Sequence, residues 1–186
     1  EPKLQDLLEF STAVAAFIQA AANNDVRSLC EAERAMHAPH ASWESLQQAH
    51  VGALVAAAEH DAFGSTQYLI KVRNASPATD IQEWQSAMEG AFITACRHGS
   101  YDVVGFYLSD ALGEAYPNAP QLRPKVMAWG IYRSSEGRAS HELLEKVRSV
   151  NPQVAATYEE QMVFVQHAEN GRDFLVREAI AGEIGK

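Results

Sequence analysis

A helix-ending break recurs along this chain at almost constant spacing, and that recurrence limits the fold more than any single residue does. The stretch "AFITACRHGSYDVVGFYL", from Ala91 to Leu108, displays one unit. Phe92, Ala95, Cys96 and Gly99 are spaced by three and four, which places them on one face of a helix. That helix ends at a glycine, the residue best able to take the left-handed capping conformation. Val103, Val104, Tyr107 and Leu108 then restart the same spacing. Helix, tight turn and second helix make an α-hairpin.

The unit returns along the chain. Phe17, Ala20 and Ala21 precede Asn23-Asn24. Leu54, Ala57 and Ala58 precede His60-Asp61, with Tyr68, Leu69 and Ile70 beyond. Phe164, His167 and Ala168 precede Asn170-Gly171, with Leu175 and Val176 beyond. A weaker copy turns at Gly137, with Leu143, Leu144 and Val147 behind it. The turn positions Asn24, Asp61, Gly99, Gly137 and Gly171 are separated by 37, 38, 38 and 34 residues. A fixed period in this range is the mark of a repeat array. The competing reading is an irregular bundle whose helices happen to be of similar length.

The segments between hairpins support the division. "MHAPHAS", "RNASPATD", "GEAYPNAPQLRP" and "SVNPQ" all carry proline, and most add Asn, Ser or Gly, which end helices and build turns. Ser42 and Asp80 stand where N-caps are needed, before Trp43 and Ile81. No run of alternating β-branched residues competes. The expectation is an all-α chain, a single helical repeat domain over 1–186. It has about five helix-turn-helix units, at roughly 5–36, 42–73, 80–112, 122–149 and 153–183. With 47% hydrophobic and 21% charged residues, the chain can bury a sizeable core.

The units resemble ankyrin repeats, whose motif T-P-L-H-x-A-A-x-x-G is followed by a second helix with paired aliphatics. "GAFITACRHG" puts Phe92 at the leucine site, Ala95 and Cys96 at the small pair and Gly99 at the glycine. "GALVAAAEHD" places Leu54, Ala57 and Ala58 likewise, "AAFIQAAANN" places Phe17, Ala20 and Ala21, and "MVFVQHAENG" places Phe164, His167 and Ala168. The resemblance is to a divergent member: no copy opens with Thr-Pro, and the period exceeds the family's 33 residues. The first helices are long as well, since Ile81, Trp84, Met88, Phe92 and Ala95 form one stripe. What the resemblance implies is a stack of helical hairpins that binds other proteins.

The candidate chemistry reads mostly as structure. His37 and His40 flank a proline in a loop without a cysteine or carboxylate cluster beside them, so no metal site is expected. His60 and His98 sit before their turns, where a histidine interacts favourably with free carbonyls at a helix C-terminus. Cys96 and His98, two apart on a helix, point in different directions. Cys30 and Cys96 read as small buried hydrophobes, compatible with a reducing compartment. The carboxylates between Tyr158 and Glu178 read as a solvated face. Asn74 begins a glycosylation sequon, relevant only to a secreted chain. No phosphate loop, dinucleotide fingerprint, zinc-protease motif or nucleophile elbow occurs, and no catalytic residue or cofactor is expected.

The functional expectation is a non-catalytic protein–protein interaction or scaffolding module. Trp43, Trp84, Tyr116 and Trp129 are its candidate contact residues, because exposed aromatics anchor interfaces. The Pro-rich stretch 113–124, containing Tyr116, is a second candidate, since long loops carry function. A net charge of −9 disfavours nucleic acid and favours a partner with a basic surface. RNA binding would need a basic groove, and Lys71 with Arg73 or Arg123 with Lys125 are small clusters. Alternatives are a structural subunit of a large assembly, or the interaction domain of a larger enzyme or secreted effector. No membrane span is expected. Location is expected to be intracellular and cytoplasmic. The start at Glu1 fits a trimmed chain or one whose leader is gone, leaving an organelle, or a host cell for an effector, as the alternative.

Overall fold

The structure, a computed structural model, describes residues 4–37, 41–76, 80–115, 122, 124–135 and 139–184, the side chains of 111, 115 and 172–184 excepted. These residues form helices and no strand. In chain order they are α1 (Leu4–Ala22), α2 (Val26–Met36), α3 (Trp43–Glu59), α4 (Phe63–Ala75), α5 (Ile81–His98), α6 (Tyr101–Leu108), α7 (Ala111–Ala115), α8 (Pro124–Ser134), α9 (His141–Val150) and α10 (Pro152–Ile184).

Three antiparallel pairs open the fold, each with a left-handed residue at its turn. Asn24 has φ 56°, Asp61 φ 54° and Gly99 φ 70°. Asn and Asp tolerate this region because a short polar side chain can bond locally; Gly enters it without strain. The local caps are also formed. Ser42 Oγ accepts from Ser45 N–H, and Asp80 accepts from Gln82 and Glu83 N–H. The small pairs are buried and let the helices approach: Ala20 and Ala21, Ala57 and Ala58, Ala95 and Cys96.

The pairs stack into two layers. α1, α3, α5 and α8 pack in succession in the first layer; α2, α4, α6 and α9 follow in the second. Phe17, Leu54, Met88, Phe92, Tyr107 and Ile131 are among the fully buried side chains between them. One polar contact recurs at the first two steps. Helices α4 and α6 have no side-chain cap of their own. Instead Asn24 Oδ1 accepts from the Ser65 N–H at 2.9 Å, and Asp61 Oδ1 accepts from the Asp102 and Val103 N–H groups, both at 3.0 Å. The turn residue of one pair thus caps the second helix of the next, 41 residues on for Ser65 and Asp102. Gly64 makes the first of these contacts possible, since a Cβ there would lie 3.0 Å from Asn24 Oδ1.

The scheme changes where no turn side chain supplies an acceptor. α2 has no preceding pair, and Asp25 caps it by accepting from Ser28 N–H. α9 follows Gly99, which has no side chain to offer, and Ser140 Oγ caps it by accepting from Leu143 N–H at 3.2 Å. A cavity of about 380 Å³ lies there, bordered by Gly99, Tyr101, Ser134 and Ser140.

The expected units at 122–149 and 153–183 are corrected in part. α8 and α9 make little direct contact; α8 packs on α5, α9 on α6, and α10 packs on both. The turn at Gly137 lies outside the described residues. α10 runs unbroken through Asn170 and Gly171, so the expected fifth hairpin is not formed. A single glycine costs a helix only about 1 kcal/mol, too little to break it without a packing reason. Val154, Ala155 and Tyr158, in the first turns of α10, already fill the site against α8 and α9. Val163 and Phe164 beyond them are exposed, so no neighbouring face draws the chain back.

Candidate functional site

Trp43 begins α3, is 39% exposed, and lies over the Arg73 guanidinium, with 4.6 Å from the carbon to the ring centroid. Trp84 stands 5.8 Å from the same guanidinium but is buried at 2% exposure. Trp84 is therefore a core residue and has no surface for a partner, which corrects its place among the contact candidates. The physical reason is its position one turn into α5, on the apolar stripe that faces α3. Its indole N–H is buried with no acceptor among the protein atoms. Tyr116 and most of the 113–124 stretch lie outside the described residues. Trp129, on α8, is 46% exposed and stands edge-on to Tyr132 at 5.4 Å.

Below Trp43 lies a buried polar network that sequence reasoning missed. Leu46 carbonyl accepts from His50 Nδ1 at 2.8 Å, so that nitrogen carries a proton. Glu33 accepts from His50 Nε2 at 3.0 Å and from the Tyr68 hydroxyl. His50 Nε2 and the Tyr68 hydroxyl thus both face the Glu33 carboxyl. Burial opposes ionisation of Glu33, but the hydrogen bonds from His50 and Tyr68 outweigh it and hold the carboxyl below its ordinary value. Burial, first, and then bonding to Cys30 and Glu33 push the Tyr68 hydroxyl upward. Next to this cluster Arg73 donates to Gln47 Oε1 at 3.2 Å, and Gln47 donates to Glu83. Burial lowers the Arg73 value, against the pull of Glu33 and Glu83.

This arrangement has acid–base groups but a positioning role. His50 is 2% exposed and both its nitrogens are engaged, so a substrate has no route to them. The network fastens α2, α3 and α4 to one another through Glu33, His50 and Tyr68. The signal available beforehand was a histidine on the apolar stripe of α3; its partner, 17 residues away on another helix, had no local mark.

The other candidates fall as follows. His37 ends α2, exposed, and His40 lies outside the described residues. His60 is the C-cap residue of α3. His98 Nε2 stands 3.8 Å from Glu59 Oε1. Cys96 is buried, and burial pushes its thiol up to about 12, while His98 is exposed, so no thiolate–imidazole pair forms. Cys30 is half-buried rather than fully buried. Arg73 is buried, which removes it from the basic cluster with Lys71. Among the described residues no group of three or more His, Cys, Asp or Glu side chains could hold a metal ion.

A surface groove sits where α8 crosses α5. It encloses about 150 Å³, floored by Phe92, Ile93 and Val126 and walled by Trp129, with Glu89 and Arg133 at its rim. The helices come this close because of Gly130: a Cβ there would lie 3.1 Å from the Phe92 ring and 3.3 Å from Ile93. Among the described residues no helix is long and apolar enough to cross a membrane. No family model matches this chain, no curated protein matches it, and no solved structure matches it.

Proposed function

We propose that this chain is a non-catalytic protein-binding module, a divergent ankyrin-like array of helical hairpins closed by one long helix. The observation that carries this reading is the cap that the first two turns each give the next pair, Asn24 to Ser65 and Asp61 to Asp102 and Val103. Such a contact makes each unit depend on its neighbour, which is how a quasi-linear array is stabilised. Arrays of this kind hold extended surfaces in fixed order, suited to partners larger than a metabolite. Trp43 and Trp129 support the reading because each is exposed yet held in place, one over Arg73 and one against Tyr132. The net charge of −9 favours a partner with basic patches over nucleic acid.

The test is affinity capture of the tagged chain from its native extract, with cross-linking, mass spectrometry and size exclusion. One or a few stoichiometric proteins cross-linked to α3, α5 or α8 are expected. A monomer that retains no protein, but binds a small metabolite in a ligand screen, would overturn the reading.

A second reading, a structural subunit of a larger assembly, is favoured by a different observation. Leu4, Leu7 and Leu8 are 74%, 52% and 60% exposed on the first turns of α1, and Val163 and Phe164 are 54% and 76% exposed on α10. Contiguous apolar patches on an isolated protein mark contact surfaces. Under this reading the captured partners bury these five residues, and polar substitutions at Leu7 and Leu8 release the chain from the high-mass complex.

A further inference from the structure

The cavity at the third turn stands where the first two turns place an oxygen. Asn24 Oδ1 accepts from Ser65 N–H, and Asp61 Oδ1 accepts from Asp102 and Val103 N–H, each at the start of the next pair's second helix. Gly99 has no such oxygen to offer α9. Ser140 Oγ accepts from Leu143 N–H, the counterpart of Val103. The Glu142 N–H, the counterpart of Asp102, has no acceptor among the described residues. Free N–H groups in a helix's first turn point out of its N-terminal end, and there the N-cap residue Ser140 borders the cavity.

The lining adds further donors. Cys96, 6% exposed, borders the cavity as a thiol, and its S–H has no partner among the described residues. Ser140 Oγ accepts from Leu143 and keeps its own O–H free. Arg97, at the rim, makes no ion pair among the described residues. No described carboxylate borders the cavity. The two nearby are engaged elsewhere, Glu59 3.8 Å from His98 Nε2 and Glu142 accepting from the Tyr101 hydroxyl at 3.2 Å. The lining therefore has unused donors and a cation, and its missing partner is an anion.

From this arrangement we infer that the cavity binds a phosphate monoester, one of whose oxygens takes at α9 the place that Asp61 Oδ1 holds at α6. At about 380 Å³ the cavity has the size of pockets that take small organic ligands, roughly 300–1,000 Å³. A phosphate has oxygens enough to meet Glu142, Ser140 and Arg97 together, whereas a carboxylate has two. The net charge of −9 opposes a long phosphate backbone, but a single phosphate needs only this local set of donors. The inference needs no partner protein and stands apart from the protein-binding reading.

The experiment titrates inorganic phosphate into the full chain, against chloride at matched ionic strength, and follows the Glu142 amide by NMR. A saturable shift is expected with phosphate alone. Arg97→Gln should weaken binding about tenfold, the loss of one charge-assisted bond. Gly99→Asp should abolish it, because the new carboxylate caps Glu142 as Asp61 caps Asp102. That variant should stay folded: Asp61 already holds φ 54°, and a Cβ at Gly99 would meet only the Tyr101 ring at 3.8 Å. Arg27→Gln, which removes an exposed cation paired with Glu31 on α2, should bind as the parent does. A capped phosphoserine peptide then distinguishes the source. Tighter binding than inorganic phosphate assigns the site to a phosphorylated side chain of a partner, and equal or weaker binding to a free small phosphate. A parent chain without a saturable shift overturns the inference. So do Gly99→Asp and Arg97→Gln chains that bind phosphate as tightly as the parent. Either failure leaves the protein-binding reading to be judged by capture from native extract.

Discussion

Removing the Asp61 carboxylate should loosen the joint between the second and third helical pairs by an amount the structure lets one estimate. Asp61 does two things at once. Its backbone holds the left-handed turn at φ 54°, and its Oδ1 accepts from the Asp102 and Val103 N–H groups of α6. α6 has no other side-chain cap, so those donors lose their acceptor when the carboxylate goes. Loss of an N-cap costs about 1 kcal/mol, and a non-glycine residue without a polar side chain in the left-handed region costs about 1 kcal/mol more. Three substitutions separate the terms. Asp61→Gly relieves the turn and loses the cap, for about 1 kcal/mol. Asp61→Ala loses both, for about 2 kcal/mol. Asp61→Asn keeps an oxygen acceptor and tolerates the turn, and should cost only a few tenths, chiefly the lost charge at a helix N-terminus. In a chain of this size each kcal/mol lowers the midpoint by about 2–4 °C. Urea denaturation gives the order, and amide exchange at Asp102 and Val103 gives the location. If Asp61→Gly equals the parent in stability while exchange at those two amides stays slow, the capping argument is wrong.

Three further outcomes follow from the same physics. Gly99→Asn should raise stability by about 0.5 kcal/mol by supplying α9 with the acceptor that Asn24 and Asp61 give their neighbours, while Gly99→Ala should lower it by about 1 kcal/mol; equal melting of the two would refute this. Because Glu33 is held below its ordinary value of 4.5, its contribution is present above pH 4.5 and lost as pH falls through its folded value. Glu33→Ala should cost about 2 kcal/mol at pH 7, where it leaves the Tyr68 hydroxyl and His50 Nε2 without their partner, and the difference from the parent should narrow toward pH 3; a gap independent of pH in urea titrations would sink the assignment of an ionised Glu33. Gly171→Ala should raise helicity by circular dichroism and stabilise α10 locally by about 1 kcal/mol, whereas a left-handed turn at that position would be destabilised by the same change.

Much of the architecture was legible because it is local. The three-and-four spacing of Phe17, Leu54 and Phe92 with their small pairs marked the first helices, and those residues are buried. Asn24, Asp61 and Gly99 marked the turns because few residue types accept a positive φ. Ser42 and Asp80 marked helix starts because a cap reaches only its own first turn. The candidate contact residues were legible only as types. Trp43 and Trp129 stay partly exposed while Trp84 is buried, since burial depends on which neighbour covers each.

By analogy with Gly99, glycine at 171 predicts a turn, yet the helix runs through it. A helix continues through glycine unless a neighbouring face rewards a return, and α10 has already met α8 and α9 in its first turns. The Glu33–His50–Tyr68 network and the caps that span 41 residues escaped for the same reason. By itself, the sequence determined that this chain is helical, where its first three pairs turn, and which face of their first helices is apolar. Tertiary structure alone decided which side chains meet across helices, which tryptophans reach the surface and where the pairing of helices changes. Helix propensity and capping act within a turn or two of chain, whereas burial and pairing act through space on residues that the sequence holds far apart.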